Sequence, residues 1–225
     1  MFPLRDSHST YKFPFITIVL IIINSVIFFF ELTVIDPDVF IDSYALIPSK
    51  INFSDYQTLK PFITSQFLHA GFMHIISNMW FLRIFGDNVE EKFGSVRFLL
   101  VYLLSGVAGG FFQYLFSPNS DIPMLGASGA VAGILGSYLV FFPHNRIKTL
   151  IPFGFYWTTV NVSAYFMLVY WVIIQLFSGV GSISYIQSGG TAFWAHVGGF
   201  IMGYSVARFF RDFGKKDFEE GIILE

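Results

Sequence analysis

The sequence predicts an all-α membrane protein, a bundle of six transmembrane helices with a long ordered loop between helices 1 and 2. Composition is the first observation behind this. Of the 225 residues, 54% are hydrophobic, 20% aromatic and only 12% charged, and the mean hydropathy is +0.63; a soluble domain carries about a quarter charged residues. The second is a set of six apolar runs, each close to the ~20 residues that cross ~30 Å of hydrocarbon. The third is the distribution of Lys and Arg, which divides the connections into two unequal groups.

The runs extend roughly from Phe13 to Leu32, Gly71 to Phe85, Val96 to Phe116, Leu125 to Phe142, Thr158 to Phe177 and Thr191 to Phe210. Arg5 and Lys12 give the first the look of a signal peptide. Its apolar stretch is too long for one and no small-residue cleavage site follows, so it reads as a retained helix. The connection from Thr33 to Ala70 carries Asp36, Asp38, Asp42, Pro37, Pro48 and Pro61, yet also Phe40, Leu46, Phe53, Phe62 and Phe67. Connections of this length are functional or disordered, and the apolar residues predict an ordered loop lying against the membrane interface. No internal repeat or low-complexity tract interrupts the chain, and residues from about 212 to 225 read as a short charged cytoplasmic tail. Residues 1–225 are therefore expected to form one membrane domain.

Six crossings bring both ends to one side. That side holds Arg5, Lys12, Arg83, Lys92, Arg97, Arg146, Lys148, Arg208, Arg211, Lys215 and Lys216, against Lys50 and Lys60 on the other. Basic residues concentrate in cytoplasmic loops, so the N- and C-termini are predicted to be cytoplasmic, in a plasma or inner cell membrane. A net charge of -2 and a pI near 6.2 leave no basic surplus for nucleic acid. With no cysteine, disulfides, thiolate nucleophiles and Cys-based zinc sites are excluded. Any nucleophile is oxygen or nitrogen.

Polar groups at membrane depth are costly and mark function. Ser128, in Leu125-Gly126-Ala127-Ser128-Gly129-Ala130, and His196, in Trp194-Ala195-His196-Val197-Gly198-Gly199, are two such groups. In the predicted topology the second, fourth and sixth helices start at the outer face, which places His74, Asn78, Ser128 and His196 roughly 5 to 12 Å below it at ~1.5 Å per residue. His74 and Asn78, four apart, share a helix face. Ser128, Ala132 and Gly136 on one helix, and Gly199 and Gly203 beyond His196 on another, predict small-residue seams that allow close approach. Such seams would bring Ser128 Oγ and His196 to hydrogen-bond range, about 2.6 to 3.2 Å. No Asp or Glu lies at that depth, so the pattern predicts a Ser-His dyad without a carboxylate. Ser128 is the expected nucleophile and His196 the general base that later protonates the leaving amine. Asn78 and His74, with the Ser128 amide and the helix N-terminus, are expected to hold the oxyanion.

These motifs closely resemble those of the rhomboid family of intramembrane serine proteases, in the compact six-helix form common in bacteria. The likeness runs nearly end to end. Besides Gly126-Ala127-Ser128-Gly129 and Ala195-His196, it includes His69-Ala70-Gly71-Phe72-Met73-His74 with Asn78, Gly86-Asp87-Asn88-Val89-Glu90 ahead of Gly94, and Gly199 with Gly203. The resemblance implies Ser128 as nucleophile, His196 as general base and Asn78 with His74 at the oxyanion site, with no cofactor or metal. It also implies single-pass transmembrane substrates cut near their outer end, admitted between the second and fifth helices past aromatics such as Phe166 and Trp171. One departure is the first long loop, where many members carry a Trp-Arg pair and this chain has Tyr44-Ala45-Leu46-Ile47-Pro48.

Blander readings compete residue by residue. A lone transmembrane serine bonds its own helix, an isolated Asn joins helices, and His74 alone is a helix-start residue; their conjunction favours chemistry. His69 reads as a structural hydrogen-bonding residue of the loop, and Glu90 as a loop or helix anchor. Two other function classes are open. A metal-dependent hydrolase would use His69, His74 and His196 as ligands, but the chain lacks His-Glu-x-x-His and a carboxylate base. A non-catalytic protein binding membrane clients is the alternative, although inactive relatives typically lose the nucleophile or base and this chain keeps both.

Overall fold

The computed structural model describes residues 2–8, 10–182 and 192–221; the expected start of the sixth run at Thr191 and residues 222–225 of the tail lie outside them. In chain order the helices are α1 (Phe15–Glu31), α2 (Pro37–Tyr44), α3 (Pro61–Thr64), α4 (Phe72–Phe93), α5 (Ser95–Phe116), α6 (Ser128–Phe141), α7 (Ala164–Ser182) and α8 (Phe193–Gly221). α2 and α3 lie in the long loop, and the other six fall on the six apolar runs. Among the described residues, α5 and Ala164–Gly181 of α7 are long and apolar enough to cross a membrane by themselves, while α1 and α6 are shorter apolar helices.

The all-α expectation needs correction. A three-stranded antiparallel sheet joins β1 (Phe2–Asp6), β2 (Arg146–Phe153) and β3 (Tyr156–Ser163), in that order. Ile147 and Thr149 are buried while Arg146 is exposed and Lys148 half-buried, the two-residue alternation of a strand. Thr158, Thr159, Val160 and Val162 are β-branched and favour the pleat. Gly154, at φ 60°, opens the two-residue turn that closes the Phe153 to Tyr156 pair. The fifth helix therefore starts at Ala164 and not at Thr158. β1 is fastened to α4, where Trp80 Nε1 donates to the Pro3 carbonyl at 2.7 Å and the Trp80 ring stacks on Phe2.

Three helix boundaries also move. α4 continues through Gly86-Asp87-Asn88-Val89-Glu90 to Phe93. Gly86 is tolerated there because α1 crosses against it; a methyl group at Gly86 would lie 3.0 Å from Thr17 Cγ2. Glu90 holds the start of α1, accepting from the Ile16 and Thr17 amides at 2.9 and 2.8 Å, the Thr17 hydroxyl at 2.8 Å and the Ser95 hydroxyl at 2.6 Å. α6 begins at Ser128, not Leu125. α8 runs on to Gly221, so much of the expected tail is helical.

α6 is the centre of the molecule. Gly129 through Tyr138 are all buried, and α6 packs against α4, α5, α7 and α8; a helix apolar on every side belongs in an interior. Its seam with α8 is backbone against backbone. A methyl group at Gly199 would stand 2.0 Å from the Gly129 carbonyl oxygen, and one at Gly136 would stand 2.2 Å from that of Phe200. The α6 side of the seam is thus Gly129, Gly133 and Gly136: the expected Gly136 stands in it, while Gly129 and Gly133 take the places expected of Ser128 and Ala132. The long loop is ordered as expected. Ala45, Leu46 and Ile47 are buried, and Leu46 exchanges backbone hydrogen bonds of 2.9 and 2.8 Å with Met124, just ahead of α6.

Candidate active site

The four residues singled out in the sequence converge on one cavity of about 540 Å³. Ser128 opens α6, His196 lies in the first turn of α8, and His74 and Asn78 project from the first turns of α4. The glycine seam makes this possible, because a methyl group at Gly129 would lie 3.5 Å from the Ala195 carbonyl oxygen. The residues flanking Ser128 and His196 are therefore in near contact, and both side chains line the hollow.

The segment before Ser128 is shaped by Gly126. Its φ of 124° suits glycine alone, its amide donates to the Ser65 carbonyl at 2.8 Å, and a methyl group there would meet the His74 ring at 2.6 Å. His74 and Asn78 are thus pressed against the approach to Ser128. The Ala70 amide donates to His74 Nδ1 at 3.4 Å, so Nε2 carries the His74 proton. Asn78 is 6% exposed, and its Nδ2 has no hydrogen-bond acceptor among the described residues. Two N–H donors are available to a ligand beside Ser128.

His69 does not join the site as a ligand. Its ring packs edge-on against His74, with centroids 5.2 Å apart. Its backbone amide donates to the Glu31 carboxylate at 3.2 Å, a bond that does not involve the imidazole. Among the described residues no three His, Cys, Asp or Glu side chains gather at metal-binding range, so His69, His74 and His196 do not form the three-ligand set.

α7 adds two residues that the sequence reading did not assign to the site. Trp171, grouped there with Phe166, turns inward and stacks on the His196 ring, whereas Phe166 is 70% exposed. Gln175 is buried, with Oε1 2.7 Å from His196 Nδ1. The signal was present in the chain: Gln175 is a polar residue inside an apolar run, the feature that marks Ser128 and His196. α7 packs on α6 and α8, while α4 packs on α1, α5 and α6.

Comparison with known proteins fits this geometry. Residues 56–213 match the Rhomboid domain family. The chain belongs to the rhomboid family. The rhomboid domain begins within the long loop and takes in every residue of the cavity described above. Among similar proteins, RHOMBOID-like protein 6, mitochondrial, of Arabidopsis thaliana is 32% identical over 142 residues, 63% of this chain and 40% of that protein. Rhomboid protease GluP of Bacillus subtilis is 36% identical over 145 residues, 64% of this chain and 25% of that protein. Putative rhomboid protease YdcA, also of Bacillus subtilis, is 43% identical over 77 residues, 34% of this chain and 38% of that protein. This rhomboid chain thus spans well under half the length of the relatives it matches.

Proposed function

We propose that this chain is an intramembrane serine endopeptidase that cuts single-pass transmembrane segments near the outer membrane face. Its six long helices would cross the bilayer, with both termini cytoplasmic. The observation that carries the reading is the convergence of Ser128, His196, His74 and Asn78 on one cavity, with the Asn78 amide donor still unpaired among the described residues. Family membership and two relatives named as rhomboid proteases support it.

In this mechanism Ser128 Oγ attacks the scissile carbonyl as His196 Nε2 takes its proton. The carbonyl π pair moves onto oxygen, where Asn78 Nδ2–H, His74 Nε2–H and the N-terminus of α6 receive the charge. His196 then protonates the amine as the C–N bond breaks, and water repeats the sequence on the acyl-enzyme. The separate packing of α4 and α7 supports the gap between them as the route by which a substrate helix reaches the cavity.

The test is incubation of the purified, detergent-solubilised protein and its Ser128→Ala variant with a model single-pass substrate, with the cut mapped by mass spectrometry. Cleavage near the substrate's outer end and fluorophosphonate labelling, both abolished in the variant, are expected. Substrate binding without cleavage by either protein would favour a non-catalytic client-binding role.

A further inference from the structure

Gln175 meets the imidazole of His196 edge-on while Trp171 covers its face. Gln175 is 8% exposed and its Oε1 lies 2.7 Å from His196 Nδ1. The Trp171 and His196 rings stack with centroids 5.7 Å apart at 30°. Residues four apart project from the same side of a helix, so a single face of α7 fixes both the plane of the ring and its Nδ1 edge. A carboxamide oxygen accepts and does not donate. Nδ1 therefore carries the proton, and the lone pair is left at Nε2.

We propose that Gln175 is the positioning residue of the dyad, standing where a carboxylate stands in a Ser-His-Asp triad and holding His196 in the tautomer that accepts the Ser128 proton. This rests on the serine-hydrolase reading above. When the Ser128 Oγ–H bond breaks and its proton arrives at Nε2, the imidazolium keeps its Nδ1–H on Gln175, and that hydrogen bond strengthens as the donor becomes charged. When Nε2 passes the proton to the leaving amine, the neutral ring returns to the same tautomer. A neutral amide orients the ring without placing a buried anion in an apolar helix bundle. His74, across the cavity on α4, is the titratable group that faces His196 among the described residues. A bond serving only to join α7 to α8 would affect stability and leave the proton chemistry unchanged.

Gln175→Leu and Gln175→Glu, measured beside wild type and Ser128→Ala, separate the two. For Gln175→Leu, kcat is expected to fall by about 10- to 100-fold with KM within about twofold, and fluorophosphonate labelling to slow in parallel. Gln175→Glu is expected to stay active and to move the acid limb of its kcat/KM profile upward by about one pH unit or more, because a carboxylate favours the imidazolium. Wild-type kcat in a folded Gln175→Leu protein, or an unshifted Gln175→Glu profile, overturns the proposal; if Gln175→Leu does not fold, the Gln175→Glu profile decides alone. Wild type as inactive as Ser128→Ala would instead fell the serine-hydrolase reading, and the role of Gln175 with it.

Discussion

Gly203 of α8 lies so close to Gly133 of α6 that a methyl group on it would stand 1.9 Å from the Gly133 carbonyl oxygen. Neither partner is a side chain that can rotate aside. The contact therefore sets the separation of the two helices that carry Ser128 and His196.

Gly203→Ala is expected to destabilise the protein by about 1–3 kcal/mol, the cost of overpacking a rigid interior, and to lower activity as the helices part. Gly181→Ala is the control, since nothing lies within 4 Å of an added methyl there. Thermal unfolding in detergent, read beside kcat, checks both.

Asn78→Ala removes a donor and leaves the fold's other contacts in place. If the amide serves the oxyanion, kcat falls by about 10²- to 10³-fold while KM changes little. Steady-state kinetics on a model substrate, with circular dichroism to confirm folding, give the answer.

Two aromatics of α7 should respond in opposite directions. Phe166 is 70% exposed; if a substrate enters past it between α4 and α7, as proposed, Phe166→Ala should raise cleavage of a membrane-embedded substrate. Trp171→Ala uncovers the His196 ring and should lower kcat. Equal effects of the two would argue against lateral admission.

Glu90 accepts four hydrogen bonds that fix the start of α1. Glu90→Gln turns two N–H groups toward donors, and hydrogen bonds to a charged group are worth about 1.5–3 kcal/mol each. A fall in the melting temperature is expected, with kcat per folded molecule unchanged, because the residue lies far along α4 from the site.

Burial, reinforced by His74, holds the His69 ring at a pKa of about 4, below the ordinary 6.5. Between those values the unfolded chain binds a proton that the folded ring refuses, so stability is lost as pH falls from about 6.5 toward about 4. Below that window both states are protonated and this loss stops growing. His69→Gln should show a flatter dependence of melting temperature on pH, and parallel curves for the two proteins would contradict the assignment.

The catalytic candidates were legible because each is a polar residue near the start of an apolar run, and helical spacing alone places His74 and Asn78 on one face. Gln175 is also a polar residue inside an apolar run, but it lies near the run's end and among so many aromatics that a lipid-facing reading dominates. The hairpin was not legible. Thr158 to Val162 run into the helix that follows them with no Gly, Pro or charged residue to mark a boundary, and β1, which pairs with β2, comes from the far end of the chain. On the α6 seam Gly136 is legible, whereas Ser128 with Ala132 and Gly129 with Gly133 are both pairs four apart, and only the position of α8 decides between them.

β1 is pinned to α4 through Trp80, and β3 runs without a break into the first residue of α7. The sheet is consequently a clasp shared by two helices that both pack on α6, like the joint of a pair of tweezers. The clasp acts close to the cavity, because Trp80 stands two residues along α4 from Asn78. Trimming the first six residues would unpin one arm and let the jaws gape or slip out of line, even though none of residues 2–6 lines the cavity.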